Sequence, residues 1–253
     1  MWGLAESCYA LGKRSRALDL YRRFLVLRPG NAEALHTVAA LGGAAPPDRA
    51  PDSYVVSLFD RYAADFDRSL MEDLHYRGPD ALHALVTEML PGAQALDVVD
   101  LGCGTGLSGI PFRSLARALV GVDLSPEMLA RAQARNIYDK LERAELAAIL
   151  TARREEFDLA IAVDSFCYAG DLAPIFRAVA VALRRGGHLA FTVEARRGRG
   201  WRLTGSGRYA HNPAWLRKTA HDAGVEEVVG RDAVLRHEYG KPVEAYMSVM
   251  RRV

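Results

Sequence analysis

Three aspartates and a glycine-rich loop are the residues able to do chemistry in this chain. Asp100, Asp123 and Asp164 each stand at or just after the end of a short apolar run. Asp100 leads directly into Leu101-Gly102-Cys103-Gly104-Thr105-Gly106. The glycines let the backbone turn tightly and approach a ligand, because no Cβ stands in the way. A helix read from Leu107 to Ala116 would turn its first backbone N–H groups toward whatever the loop cradles. Asp123 lies 21 positions after Gly102, the residue type and place to accept hydrogen bonds from ribose hydroxyls. Any one of the aspartates could serve as a helix N-cap; three with the loop point to a nucleotide-type site.

The elements around them alternate. The run Ala95 to Asp100, Leu119 to Val122 before Asp123, Phe157 to Val163 before Asp164, and His188 to Val193 after the Gly186-Gly187 turn read as buried strands. Leu141 to Ala144 is a weaker strand. Helices are expected from Ser125-Pro126 to Arg135, Pro174 to Arg184 and Asn212-Pro213 to Ala223. Val228–Tyr239 and Val243–Met250 close the chain as a hairpin, so one strand must be antiparallel. The pattern predicts an α/β fold with a doubly wound, seven-stranded, mostly parallel sheet, whose strand ends align the three acids on one edge.

Upstream, residues 53–92 carry two further helices, the first with Val55, Leu58, Phe59, Tyr62 and Phe66 on one face. Residues 42–52 (GGAAPPDRAPD) read as a linker. Residues 1–41 show three short helical stripes, broken at Gly12 and Pro29-Gly30.

Bulk properties exclude several classes. The net charge of +2 in 253 residues gives no general attraction to nucleic acid. Cys8, Cys103 and Cys167 are too few and scattered for a disulfide frame or a metal site. Neither a membrane span nor a signal peptide is legible, and a cytoplasmic setting is expected.

The chain resembles the class I S-adenosylmethionine-dependent methyltransferases. The resemblance rests on Asp100-Leu101-Gly102-Cys103-Gly104-Thr105-Gly106, on Gly121-Val122-Asp123-Leu124-Ser125-Pro126-Glu127-Met128-Leu129, on Phe157-Asp158-Leu159 leading to Asp164, and on Arg184-Arg185-Gly186-Gly187. It implies a Rossmann-like domain over 53–253, with lid helices at 53–92 and the core at 93–253. It also implies S-adenosyl-L-methionine as cofactor. Gly102, Cys103, Gly104, Thr105 and Gly106 would pass close to the methionine part, ordered by Asp100. Asp123 would take the ribose, with Leu124 and Met128 beside the adenine. Ala144 and Glu145 fall where the adenine amino group is contacted, Asp164 at the fourth strand end, and Tyr62 and Phe66 in the lid.

Residues 1–41 resemble a tetratricopeptide repeat through Leu4, Ala5, Gly12, Ala17, Tyr21 and Pro29, although Cys8 stands where that pattern prefers tyrosine. A single repeat must pack on the main domain, on a protein partner or on a second copy.

Methyl transfer needs alignment above all, and a base only where the acceptor carries a proton. His211, Tyr209, Tyr168 and Asp164 are the candidates for that base, His211 with the most suitable intrinsic pKa. The loop Ala195 to Arg208, with Arg196, Arg197, Arg199, Arg202 and Arg208 around Trp201, reads as a mobile, solvated flap or as a grip for an acidic or phosphorylated substrate, or RNA. The acceptor itself, small molecule or protein, is not legible.

Two rival readings remain. Gly104-Thr105-Gly106-Leu107-Ser108-Gly109 is a literal G-x-G-x-x-G, the fingerprint of an NAD(P)-dependent oxidoreductase. The acid and glycine ahead of it suit an ammonium and repel a pyrophosphate. The domain could also bind S-adenosylmethionine without catalysis, as an adaptor.

Overall fold

The structure is a computed structural model that describes residues 1–74, 76–238 and 240–253. Its centre is a mixed sheet of nine strands with helices on both faces.

The chain begins with α1 (Trp2–Ala10), α2 (Arg14–Leu27) and α3 (Ala32–Ala40), packed around Ala5, Cys8, Ala17, Leu20, Tyr21, Ala34 and Val38. Small alanines at the crossing points let the helices close. Asn31 caps α3 by accepting the Ala34 N–H at 2.8 Å. After residues 41–51 come α4 (Asp52–Tyr62), a short α5 (Phe66–Arg68) and α6 (Gly78–Met89).

The core then alternates: β1 (Leu96–Leu101), α7 (Gly109–Phe112), β2 (Ala116–Asp123), α8 (Pro126–Arg135), β3 (Lys140–Arg143), α9 (Leu146–Thr151), β4 (Phe157–Ala162), α10 (Ala173–Ala182) and β5 (Leu183–Ala195). A hairpin of β6 (Trp201–Leu203) and β7 (Tyr209–His211) precedes α11 (Pro213–Asp222), β8 (Val225–Glu238) and β9 (Lys241–Arg252). The order β3-β2-β1-β4-β5 is parallel throughout. Strand β9 runs antiparallel to β5, and β8 pairs on β9.

Both sheet faces are covered, so β4 is apolar on consecutive residues from Leu159 to Ala162 rather than on alternate ones. In β4, Leu159 and Ile161 face the layer of Leu82, Leu85, Val86 and Phe112, while Ala160 and Ala162 face Phe176, Val179, Leu216 and Ala220.

Several elements differ from expectation. The sheet has nine strands rather than seven, because the Ala195 to Arg208 stretch is not a free flap. It folds into β6 and β7, with β7 added to the end of β5 through Glu194↔Ala210 and Ala195↔His211. Trp201 supplies the reason: its ring lies over Gly170, where any Cβ would meet it at 2.6 Å, and packs edge-on against Tyr209. The helix expected from Leu107 shrinks to Gly109–Phe112, since the turn ends in time to start β2 at Ala116. Gly186-Gly187 sits inside β5 as an irregularity, not before it. The expected strand end at Tyr239 lies outside the described residues.

Residues 42–51 form no helix or named strand, as their prolines dictate, and the linker expected over 42–52 gives up Asp52 to α4; yet the segment is docked. The Asp48 carbonyl accepts the N–H groups of Gly170 and Asp171 at 2.7 and 2.9 Å, and Ala50 N–H donates to Tyr168 O at 2.8 Å. No helix among the described residues is long and apolar enough to cross a membrane.

Candidate functional site

The parallel strands end together, and a cleft opens over that edge. It is lined by the loop after β1, by the ends of β2 and β4 and by residues of α4 and α5, a concave and mostly apolar surface of the kind that takes small ligands. The floor is the loop after β1. Gly102, Gly104 and Gly106 have φ of +74°, +55° and +92°. Gly102 is forced: a Cβ there would lie 2.5 Å from Ser165 Cβ. Gly104 is open on its cleft side, where a Cβ would meet only Phe66 Cε1 at 3.9 Å. That open strip of backbone is a cradle a ligand can fill.

Asp123, at the end of β2, lines the cleft. Its carboxylate accepts the Gly104 N–H at 2.9 Å and the Ser125 N–H at 2.8 Å. Burial pushes its carboxyl up, opposed by those backbone donors. Asp100 lies behind the loop, fully buried. Ser108 and Tyr138 hydroxyls donate to its Oδ2 at 2.6 and 2.7 Å, while Oδ1 has no partner among the described residues. Burial raises the Asp100 carboxyl to about 6.

The roof is α4 and α5, through Val55, Phe59 and Phe66, together with Leu70 and Tyr76. Phe59 packs edge-on to both Phe66 and Tyr168. Two aspartates tie this roof to the floor. Asp60 accepts the Ser125 hydroxyl at 2.6 Å, and Asp67 accepts the Thr105 hydroxyl at 2.5 Å and an ion pair from Arg135.

Of the residues singled out from sequence, Gly102, Cys103, Gly104, Thr105, Asp123, Leu124, Glu145, Asp164 and Tyr168 converge on the cleft. Glu145 caps α9 through the Ala148 N–H at 2.9 Å. Met128 is buried on α8 beneath the site, and Ala144 and Gly106 stand just outside the lining. Tyr62 is 57% exposed and stands off the cleft. His211 is fully buried in β7, outside the lining. Its Nε2 faces the carbonyls of Ala169 and Gly170 at 2.9 and 3.1 Å, which can only accept, so that nitrogen carries the proton. Burial lowers its pKa to about 4.

A buried charge cluster was not anticipated. Arg236, 2% exposed, grips Asp164 with Nη1 at 2.9 and 3.0 Å from the two carboxylate oxygens. It also reaches Glu194 and Glu238. Arg208 pairs with Glu238 and lies 3.6 Å from Glu194. Burial opposes the charge on Arg208, but the carboxylates of Asp164 and Glu194 outweigh it and keep the guanidinium protonated. Asp164 adopts φ +56°, a left-handed conformation that aspartate tolerates better than most residues. Asp164 and Arg208 were legible singly, and the sequence signal for their partners was the charge of Arg236 and Glu238 inside a strand of otherwise mixed pattern.

Residues 99–191 match the family described as "Methyltransferase domain". Human Methyltransferase-like protein 27 is 35% identical over 116 residues, 42% of this chain and 47% of that protein. Malonyl-[acyl-carrier protein] O-methyltransferase of Enterobacter lignolyticus is 31% identical over 141 residues, 56% of this chain and 53% of that protein. The chain thus spans about half the length of these curated relatives. A solved S-adenosylmethionine dependent methyltransferase from Mesorhizobium loti superposes with a TM-score of 0.53 at 26% identity, over 68% of this chain and 96% of that one. Of the two readings of the glycine loop, the match falls on methyl transfer: residues 99–191 are similar to a methyltransferase domain, set in a Rossmann-like α/β fold shared with a solved S-adenosylmethionine dependent methyltransferase.

Proposed function

We propose that the whole chain is a working methyltransferase, whose cofactor lies in the cleft between the glycine loop and the roof of α4 and α5. The observation that carries this is Asp123 beside the open Gly104 backbone, under an apolar lid. The residues present fit the cofactor. The backbone of Gly102, Cys103, Gly104 and Thr105 borders its amino-acid end, and Asp123 accepts from its ribose. Leu124 and Glu145 flank the base. Asp100 acts from behind, fixing the loop through Ser108. When bound, S-adenosylmethionine supplies a methyl group on a positively charged sulfur, already activated for displacement.

The protein's own contribution is alignment and exclusion of water. Phe59, Phe66 and Leu70 cover the cleft, and the Asp60 and Asp67 hydrogen bonds draw that cover onto the loop. The O-methyltransferase among the relatives favours oxygen as the atom methylated. His211, buried against two carbonyls and hard to protonate, is better suited to joining β7 to Ala169 and Gly170 than to taking a proton from an acceptor. The helices of residues 1–41 read as a single tetratricopeptide-like unit, with Leu11, Val26 and Leu27 exposed toward a protein partner or a second copy. The setting is cytoplasmic.

The test is calorimetric titration of the full chain with S-adenosylmethionine, S-adenosylhomocysteine and NADH, on wild type and Asp123→Ala. Micromolar binding of the first two, weakened about 100-fold or more in the variant, supports the reading. Binding of NADH alone overturns it. Binding without turnover on any acceptor leaves the adaptor.

A further inference from the structure

The far end of the cleft, beyond the glycine loop, has its own chemistry. Within the charge cluster, Asp164 and Arg208 line the cleft, whereas Glu194, Arg236 and Glu238 do not. Asp164 is neutralised by the two-pronged grip of Arg236. The cationic group that the cluster places on the cavity wall is the Arg208 guanidinium, paired with Glu238 and set beside the Tyr168 hydroxyl. Around it the lining is apolar: Leu70, Tyr76, Pro79 and Val163.

Arg208 is also firmly seated. It belongs to the turn between β6 and β7, and the N-terminal helices bind the main chain of that turn. Tyr9 Oη of α1 donates to Gly205 O at 2.7 Å, and His36 Nε2 of α3 meets Gly207 O at 2.8 Å. His36 stacks on Tyr54 of α4 with ring centroids 4.2 Å apart, and Tyr209 Oη donates to Pro47 O at 2.9 Å. An arginine fixed at the base of an apolar pocket recognises a planar anion through paired N–H donors.

Proton chemistry points the same way. Among the described residues lining the cleft there is no histidine. Tyr168 and Tyr76 are held protonated, chiefly by burial, and Asp164 is committed to Arg236. An alcohol or amine acceptor would need a base to take its proton. A carboxylate arrives ionised at neutral pH and needs none.

We propose that the acceptor is a carboxylate on an apolar body, anchored by Arg208, and that the N-terminal helices serve the site by seating that residue. This deepens the methyltransferase reading and rests on it. The step is balanced without a proton: a carboxylate oxygen bonds to the methyl carbon, the carbon–sulfur bond breaks with its electron pair passing to sulfur, and an ester and a neutral thioether result.

The experiment uses the full chain saturated with S-adenosylhomocysteine. It is titrated by calorimetry with octanoate, octanol and octylamine, which share a tail and differ in head-group charge. Octanoate binds at least tenfold tighter than the other two. Arg208→Met abolishes that preference. Tyr9→Phe, which removes one hydroxyl, weakens octanoate about threefold. In both variants S-adenosylhomocysteine affinity stays within twofold of wild type, which shows that the fold is intact. If the wild type fails to bind S-adenosylhomocysteine, the methyltransferase reading falls and takes this one with it. If it binds that product but prefers octanol or octylamine, or binds no octanoate, the carboxylate subsite is overturned. An unchanged octanoate affinity in Arg208→Met overturns the anchor, and an unchanged affinity in Tyr9→Phe overturns the seating by the helices.

Discussion

Thr105 and Asp67 join the floor of the cleft to its roof: the threonine hydroxyl donates to the Asp67 carboxylate at 2.5 Å, across 38 residues of sequence. The other carboxylate oxygen pairs with Arg135, which itself donates to Thr105 O at 2.6 Å. One aspartate therefore fixes both the lid and the glycine loop. Asp67→Ala should leave the fold intact and let the lid open. A hydrogen bond to a charged group contributes on the order of 1.5 kcal/mol, so S-adenosylhomocysteine should dissociate about tenfold faster in stopped-flow fluorescence. An unchanged off-rate would show that the latch does not gate the cofactor.

Asp100 makes stability depend on pH in an unusual direction. Its carboxyl stands at about 6 in the fold, against 3.8 for a free aspartate side chain. The unfolded chain therefore loses this proton first as pH rises, and the folded state is progressively penalised between about pH 4 and 6. The cost levels off above that at about 3 kcal/mol. Asp100→Asn should flatten this segment of the stability–pH curve measured by urea unfolding. A curve of unchanged slope would mean that the group titrates normally.

His211 acts in the opposite sense. Burial holds its pKa at about 4, against 6.5 when exposed. The unfolded chain takes up a proton that the fold refuses, so stability is complete above about pH 6.5 and falls by roughly 3 kcal/mol on the way down to pH 4. His211→Ala should remove this acid limb. At pH 7.5 it should cost about 2–4 kcal/mol through the lost packing and the two orphaned carbonyls. Affinity for S-adenosylhomocysteine should stay within about threefold, because the residue lies off the cleft. A large loss of affinity without loss of stability would return His211 to the site.

Arg236 holds together three carboxylates that would otherwise repel one another out of water. Arg236→Met should lower stability by about 3–5 kcal/mol, since it leaves buried charges without a partner. Adding Asp164→Asn should recover about 2 kcal/mol of that, because asparagine accepts the left-handed backbone and carries no charge. If the double variant is no more stable than the single one, the cluster is not the origin of the loss.

The legible part of this protein was local. An acid closing an apolar run, followed by glycines at fixed spacing, marks strand, turn and ligand loop within a few residues, and Asp100, Gly102, Gly104 and Asp123 were read that way. The helix stripes of residues 1–41 and the caps at Asn31, Ser125 and Asn212 are equally short-range, and all three side chains accept the expected N–H. What sequence concealed was long-range. Arg236 reads as a surface arginine until β8 places it against Asp164, 72 residues away. The strands β6 and β7 are three residues each, too short for a period, and the arginines in and around them suggest solvent. Tyr62 shares its helical stripe with Phe59, but the helix ends at that point and turns it outward.

The grip of the N-terminal helices on the β6–β7 turn is made to main-chain carbonyls, those of Gly205 and Gly207. Such a joint reads the backbone and wants no side chain at Gly207, where φ is +83° and a Cβ would lie 2.9 Å from the Tyr54 hydroxyl. Exposed Ser206 can change at the loss of one side-chain hydrogen bond, to Thr204, whereas Tyr9, His36 and Thr204, whose hydroxyl donates to Arg208 O at 2.9 Å, must stay. Two regions of the chain nearly 200 positions apart thus carry unequal burdens: the helices bear the constraint, and the rim of the cleft keeps the freedom to change what it admits.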